Sequence, residues 1–344
     1  MSILALADDM TGALEVGAKF SAVGVHTVVA AKPLQSTTAQ VIVYDTETRH
    51  LSPACAAEEV RRFIRVSAAV RPRLLYKKTD STLRGNISAE LRALSELFPD
   101  WRVGYAPAYP ALGRTVKEGI LYVDGVAVSQ TSFGNDPLNP VTTSAISAVL
   151  GDRLNCTIFD GEHDSHIEDA ARAILANESM RIIAGPGALA GAIAGQLVSL
   201  RTTVSLPRIS SCLLMNGSLH RRSITQMHRA EAPGWTILTT THAPNAEPAR
   251  VAGANARRLL DEIESRDPDG VFVIGGDTAF AVIAALGFPM LWPIREIVPG
   301  VPITRIRAAD IKRNRDLFLI TKAGGFGEPD VIHRVHQELN THVE

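Results

Sequence analysis

The chain has 344 residues, 46% hydrophobic and 21% charged, which suits globular domains with real cores and, at this length, two of them. Thirty-five Lys and Arg against 36 Asp and Glu leave a net charge of −1, so the electrostatic footprint of a nucleic-acid or anionic-membrane binder is absent and a small-molecule partner is expected. Cys55, Cys156 and Cys212 are too few and too scattered for a disulfide framework or a structural zinc site. The start, MSILALADDM, lacks the basic region of a signal peptide, and no apolar run reaches the roughly 18 residues a membrane span needs. A cytoplasmic protein is expected, with homo-oligomerisation left open.

Short apolar runs alternate with longer helical patterns almost from end to end, the signature of βαβ units. The expected fold is α/β: two domains, each a mostly parallel sheet flanked by helices, with the active site in the interdomain cleft. Strands are predicted over 3–7, 41–44, 74–77, 102–105, 157–159 and 181–184, and a first helix over 11–22. Ser52 before Pro53 supplies an N-cap and a first-turn proline for a second helix. Between 119 and 131 the pattern alternates about Asp124-Gly125, an antiparallel hairpin signal. Over 200–211 the pattern lapses into RTTVSLPRISS, then restarts. This places a first domain at 1–205 and a second at 206–344, with strands over 213–216, 236–239, 271–274 and 317–321.

Unusual polar residues concentrate where predicted strands end. After ILAL stand Asp8 and Asp9, of which one can cap the following helix while the other faces a cleft. After RLLY comes Lys77-Lys78-Thr79-Asp80-Ser81-Thr82-Leu83-Arg84-Gly85-Asn86, more polar chemistry than a connecting loop needs and suited to a polyhydroxylated anion; Arg84 could grip a carboxylate bidentately. Arg114 stands out in a turn rich in proline, with Asp136-Pro137-Leu138-Asn139-Pro140 beyond the hairpin. In the second half VFVI runs into Gly275-Gly276-Asp277-Thr278, and LFLIT into Lys322-Ala323-Gly324-Gly325. Glycines admit close backbone approach and helix starts favour phosphate, so two such turns, with Asn216-Gly217-Ser218 at a third strand end, point to a nucleotide.

Other signatures fail. No Gly-Lys pair occurs, which removes the Walker A loop. Gly185-Pro-Gly187-Ala-Leu-Ala190 matches a dinucleotide pattern formally, but the acid that would hold a ribose is missing downstream, so close helix packing is the better reading and a dehydrogenase is disfavoured. His163 and His166 read as a turn and helix start rather than a metal site.

The conjunction of ADDMTGA, YKKTDSTLRGN, GRTVKEG with DPLNPV, GGDTA and TKAGGFG resembles the four-carbon acid sugar kinase family over nearly the entire chain. The resemblance implies a substrate domain for threonate, erythronate or 3-oxo-tetronate, a C-terminal ATP domain, and phosphate transfer to the terminal hydroxyl, with Mg²⁺. It assigns Asp8, Asp9, Lys78, Asp80, Ser81, Arg84 and Arg114 to the sugar acid, and Ser218, His220, Gly275, Gly276, Asp277, Thr278, Lys322, Gly324 and Gly325 to the nucleotide. Where many relatives have a Gly-Ser-Cys-Ser-like turn this chain has Gly217-Ser218-Leu219-His220, and it is shorter than many of them. Asp80, or failing it Asp9, is expected to accept the hydroxyl proton; Asp277 is expected near Mg²⁺ and is a rival for that role. The alternative is a two-lobed sugar-acid sensor that binds without turnover.

Overall fold

The computed structural model describes residues 2–34, 37–67, 72–198, 204–238, 240 and 247–340. The first half runs β1 (Ile3–Ala7), α1 (Met10–Ser21), β2 (Thr27–Ala30), β3 (Val41–Asp45), α2 (Pro53–Val66), β4 (Leu74–Lys78) and α3 (Ile87–Leu97). It continues through β5 (Val103–Tyr105), a ribbon of β6 (Arg114–Lys117), β7 (Ile120–Val123) and β8 (Val126–Ala127), then α4 (Ile146–Leu150), β9 (Cys156–Ile158), α5 (Asp164–Ala176), β10 (Ile182–Gly185) and α6 (Gly187–Leu197). The second half has β11 (Cys212–Asn216), α7 (Arg221–His228), β12 (Thr236–Leu238), α8 (Pro248–Arg266), β13 (Gly270–Ile274), α9 (Gly276–Ala285), β14 (Leu291–Val298), β15 (Val301–Ile306), β16 (Leu317–Lys322) and α10 (Val331–Asn340).

The α/β, mostly parallel reading holds, and local signals act as their chemistry requires. Asp9 caps α1 by accepting the Gly12 N–H, and Ser52 caps α2 by accepting that of Cys55. The hairpin turns at Asp124-Gly125, both at positive φ, and β6 adds a third strand to it. Gly187 is a packing glycine, since a Cβ there would collide with the Glu15 side chain. Parts of two expectations lie outside the described residues, namely Thr239 at a strand end and 200–203 in the linker.

The sheets of the two halves are joined edge to edge. Seven parallel strands, in the order β2-β3-β1-β4-β10-β5-β9, meet four parallel strands, β12-β11-β13-β16, through the antiparallel pair β14-β15, giving one 13-stranded sheet. The joint is a single pairing of Leu291 with Val29. Because β14 and β15 intervene, the parallel strands of the two halves run in opposite senses, and register shifts at Pro293/Arg295 and Glu296/Val298 put bends into the joining strand. The segment 204–211 is no free tether: Leu206 and Ile209 are buried in a core with Trp235, Phe272 and α10, on the sheet face opposite that packed by α8 and α9. The larger core runs through both halves, from Leu4 and Leu14 to Val273 and Val282. The three cysteines are free. Among the described residues no helix is long and apolar enough to cross a membrane.

Candidate functional site

Parallel strands leave polar loops at their carboxyl ends, and in open α/β sheets ligands bind there. The ends of β1, β3 and β4 from the first half and of β11, β13 and β16 from the second line one cavity of about 430 Å³. It holds Asp8, Asp9, Arg84 and Arg114 on one side and Ser218, His220, Gly275, Gly276, Asp277, Thr278, Gly324 and Gly325 on the other. A recess of about 40 Å³ shares Asp9, Arg49 and Arg84 with it and adds Lys78, Asp80, Ser81 and Lys322. Every site residue expected from sequence therefore borders one of two adjoining spaces.

The organising group on the first wall is Arg49, a residue the sequence motifs passed over. Its Nε and Nη2 donate to Asp8 Oδ2 and Oδ1 at 2.8 and 3.0 Å, its Nη1 donates to Asp9 Oδ2 at 2.6 Å, and Nη2 lies 3.7 Å from Asp80 Oδ2. Burial alone would raise the carboxyls of Asp9 and Asp80. For Asp9 the charges of Arg49 and Lys78 reverse this and hold it below its ordinary value; for Asp80 Arg84 and Arg49 hold it well below. The loop bearing Arg49 is pinned from α3's start, where the Asn86 amide donates to Thr48 O and Leu51 O instead of capping its helix. The signal was available: VIVY is a strand, and DTETR at its end is as polar as the segments that were singled out.

Asp80, the expected proton acceptor, has both oxygens committed. Oδ1 accepts from Thr82 N at 2.9 Å, from Thr82 Oγ1 and from Arg84 Nε at 3.2 Å, while Oδ2 accepts from Arg84 Nη2 at 2.9 Å. So held, it is a weak base and a firm support for two arginines. Arg84, expected to grip a carboxylate, reaches Asp136 at 3.3 Å as well as Asp80. Arg114 donates Nη1 to Leu112 O and stacks over Phe326, while its buried Nε has no partner among the described residues; burial lowers its pKa. Adjacent strand residues point to opposite faces, and Lys77 and Lys78 separate accordingly. Lys77 is fully buried against Glu90 at 3.1 Å, away from the cavity, whereas Lys78 lines the recess 3.5 Å from Glu15. In the recess Glu15 Oε1, Ser81 Oγ and Thr321 Oγ1 are buried with no hydrogen-bond partner among the described residues, groups suited to substrate hydroxyls.

The second wall is three glycine turns packed on one another, and this changes the reason for their glycines. A Cβ at Gly217 would strike Thr278 Oγ1, one at Gly324 would strike Ser218 Oγ, and one at Gly275, whose φ is 112, would stand 3.3 Å from Ser218 N. These glycines admit neighbouring turns. Gly276 is different: its Cβ would project toward the first wall, 3.6 Å from both Asp9 Oδ2 and Thr11 Oγ1. It opens α9, whose Gly275 cap makes no side-chain bond, so the first-turn amides carry no side-chain acceptor. Lys322, expected as a cation for the ligand, donates instead to the carbonyls of Ala323 at 2.9 Å and Phe326 at 3.0 Å, and burial lowers its pKa to about 7. It ties the turn. His220 accepts the Arg222 N–H at the start of α7, and burial, then Arg222, lowers its pKa. Asp277 is exposed in the first turn of α9; among the described residues no group of three or more His, Cys, Asp or Glu has metal-holding geometry.

The fold is thus that of a two-lobed α/β protein in which an arginine-and-carboxylate wall faces helix-start amides across one cavity. Family models agree in kind: a sugar-binding N-terminal domain matches residues 3–155 and a nucleotide-binding C-terminal domain matches residues 196–332. A D-threonate kinase of Bordetella bronchiseptica is 30% identical, the match covering 97% of this chain and 96% of that protein. A 3-oxo-tetronate kinase of Brucella melitensis is 24% identical over 95% and 93% of the two chains. Among solved structures, a domain-swapped dimer from Bordetella bronchiseptica with bound citrate is similar at TM-score 0.53 and 27% identity, covering 98% of both chains. A Salmonella typhimurium structure shares the fold at TM-score 0.75 and 18% identity, over 98% and 99%. The chain belongs to the four-carbon acid sugar kinase family.

Proposed function

We propose that this protein transfers the γ-phosphoryl group of ATP to the terminal hydroxyl of a four-carbon sugar acid of the threonate, erythronate or 3-oxo-tetronate class. The observation that carries the reading is the meeting of the two walls at Gly276 and Asp9. Phosphoryl transfer asks a protein mainly to align an acceptor, neutralise charge and exclude water, and the residues of both walls suit those tasks. The site fits the nucleotide: α9 starts on the cavity without a side-chain cap, and Gly276 leaves open the space a Cβ would fill. Amides of Gly276, Asp277 and Thr278 would receive phosphate oxygens, and the neutral face of His220 beside Gly325 would border the nucleotide. Asp277 would hold Mg²⁺, which neutralises phosphate charge when bound. Arg84 and Arg114 hold the substrate carboxylate, Arg114 offering its unpartnered Nε. Lys78, Ser81 and Asp9 face the hydroxyls, and Asp8 and Asp80 fix the arginines.

Incubation with ATP, Mg²⁺ and a panel of four-carbon aldonic and oxo-acids, followed by ADP release and mass spectrometry of the product, tests the reading. A four-carbon acid gaining 80 Da with matching ADP is the expected result, an increment fixed by the mass of one phosphoryl group (~80 Da). Tight acid binding without ADP formation would favour the sensor alternative and overturn this one.

A further inference from the structure

We propose that Glu47 is the group that takes the proton from the attacking hydroxyl, an assignment that rests on the kinase reading above. Asp80 and Asp9 both have their two oxygens engaged by strong donors: Asp9 Oδ1 accepts from Gly12 N at 2.9 Å, and its Oδ2 from Thr11 Oγ1 at 2.8 Å and Arg49 Nη1 at 2.6 Å. Carboxylates so bonded are kept ionised and are weak proton acceptors. Glu47 lies in the loop after β3 and lines the same cavity as Asp9, Gly276 and Asp277. Its backbone sits in the left-handed region at φ 48, a conformation that a non-glycine residue keeps only where the surroundings enforce it and that concentrates at functional sites. Two contacts enforce it here: Glu47 N donates to Asp45 Oδ1 at 3.1 Å, and Glu47 Oε1 accepts the Met10 N–H at the start of α1 at 3.2 Å. The side chain is thereby fixed beside Asp9, next to the point where the two walls meet.

The electrostatics agree with that placement. Burial, then the negative charge of Asp9, pushes the Glu47 carboxyl up to about 7, against the opposing charge of Arg49. Asp45, buried beneath it, is raised well above the ordinary range by burial and by Glu47. The other charged or titratable groups lining this cavity are Asp8, His50, Arg84, Arg114, Asp136, His220 and Asp277. A base near neutrality is matched to the operating pH in a way the depressed Asp80 is not. In the step, the hydroxyl proton passes to a Glu47 oxygen as the hydroxyl oxygen bonds to the γ-phosphorus of ATP. The bond from that phosphorus to the bridging oxygen breaks, its electron pair leaves with ADP, and Glu47 returns the proton to solvent.

The test is the pH dependence of turnover in the native protein, Glu47→Gln, Glu47→Asp and Asp80→Asn, with sugar-acid affinity measured by calorimetry. Native kcat should rise through about pH 7 and then level, because the base must be ionised. Glu47→Gln should lower kcat by about 10²–10⁴-fold with a flat profile and near-native affinity, and Glu47→Asp should restore part of kcat together with the pH limb. Asp80→Asn should raise KM for the acid and keep the limb. A Glu47→Gln protein that retains the native limb, or that loses sugar-acid affinity and thermal stability in proportion to kcat, overturns the assignment while leaving the kinase reading intact. A native protein inert on every acid of the panel fails the kinase reading, and this assignment with it.

Discussion

Replacing Arg49 by Met should be among the most damaging single changes in the first half. The guanidinium is the shared partner of Asp8, Asp9 and Asp80, all of them buried or nearly so. A methionine keeps much of the aliphatic volume but leaves Asp8 and Asp9 without their shared guanidinium and Asp80 with Arg84 alone. Removing one partner of a buried ion pair costs about 3–5 kcal/mol, because the remaining charge is stranded. At roughly 2–4 °C per kcal/mol for a unit of 150–250 residues, the melting temperature should fall by about 10 °C. The sign of the pH effect identifies the cause. In the native protein Asp9 and Asp80 are held below the ordinary carboxyl range, so their stabilisation is present above the unfolded pKa and is lost as pH falls through the lower folded values. Without Arg49, only Lys78 opposes burial at Asp9 and only Arg84 at Asp80, so both carboxyls rise and the variant should gain stability relative to native as pH drops from 7 toward 4. Urea denaturation of both proteins at pH 7, 5.5 and 4 measures the gap. A gap under about 1 kcal/mol at pH 7, far below the stranded-charge cost, or one that does not narrow on acidification, would refute the shared-partner argument.

Lys322→Met should leave the protein at least as stable at pH 7 and raise the ATP KM by loosening the 323–326 turn. Because the folded pKa of about 7 lies below the unfolded value, native stability should climb between pH 7 and about 10, a rise absent in the variant, read by urea denaturation across that window. Gly276→Val should raise the ATP KM at least about tenfold with sugar-acid affinity little changed, since the added side chain fills the space between the walls; one lost tenfold is roughly 1.4 kcal/mol. Gly324→Val, by contrast, should also lower the melting temperature, because it collides with Ser218. Arg84→Lys should weaken sugar-acid binding by roughly tenfold or more, the equivalent of about 1.5–3 kcal/mol for a bond to a charged group, and calorimetry with threonate reads it; native affinity in that variant would remove Arg84 from carboxylate recognition.

Most parallel strands were legible because apolar runs bounded by polar loops have few other readings, and strand ends in α/β proteins carry ligands. That logic also located the polar wall, Asp8 through Arg114, and the glycine turns. It could not separate roles within the wall. Lys77 and Lys78 are chemically alike, and only strand alternation against α3 decides that one pairs with Glu90 while the other meets the recess. Glycines at 217, 275 and 324 look like ligand approaches in one dimension and are contacts between turns in three. Strand β2, four residues long, and the pair β14-β15 were missed, the pair for a physical reason: LWPIREIV and VPITRI carry prolines, which argue against central strands, and here Pro293 sits beside a register shift in a strand that still pairs on both sides.

Those unread strands set the distance on which the site depends. Pro293 of β14 and Val29 of β2 both press on Gly17 of α1, where a Cβ would stand 2.6 and 2.7 Å from them, and Lys19 on the same helix pairs with Glu296 at 2.5 Å. The second half therefore rests directly on α1, through its glycine and a partly buried ion pair. The other end of α1 is capped by Asp9, which faces Gly276. One helix thus carries both the joint between the halves and the residue at their meeting point, so the separation of the sugar-acid wall from the helix-start amides is governed by how β14 seats on Gly17. Packing at that joint is catalytic geometry at one remove, which gives a physical reason for a small residue in the middle of an otherwise well-formed helix, where glycine costs roughly 1 kcal/mol relative to alanine.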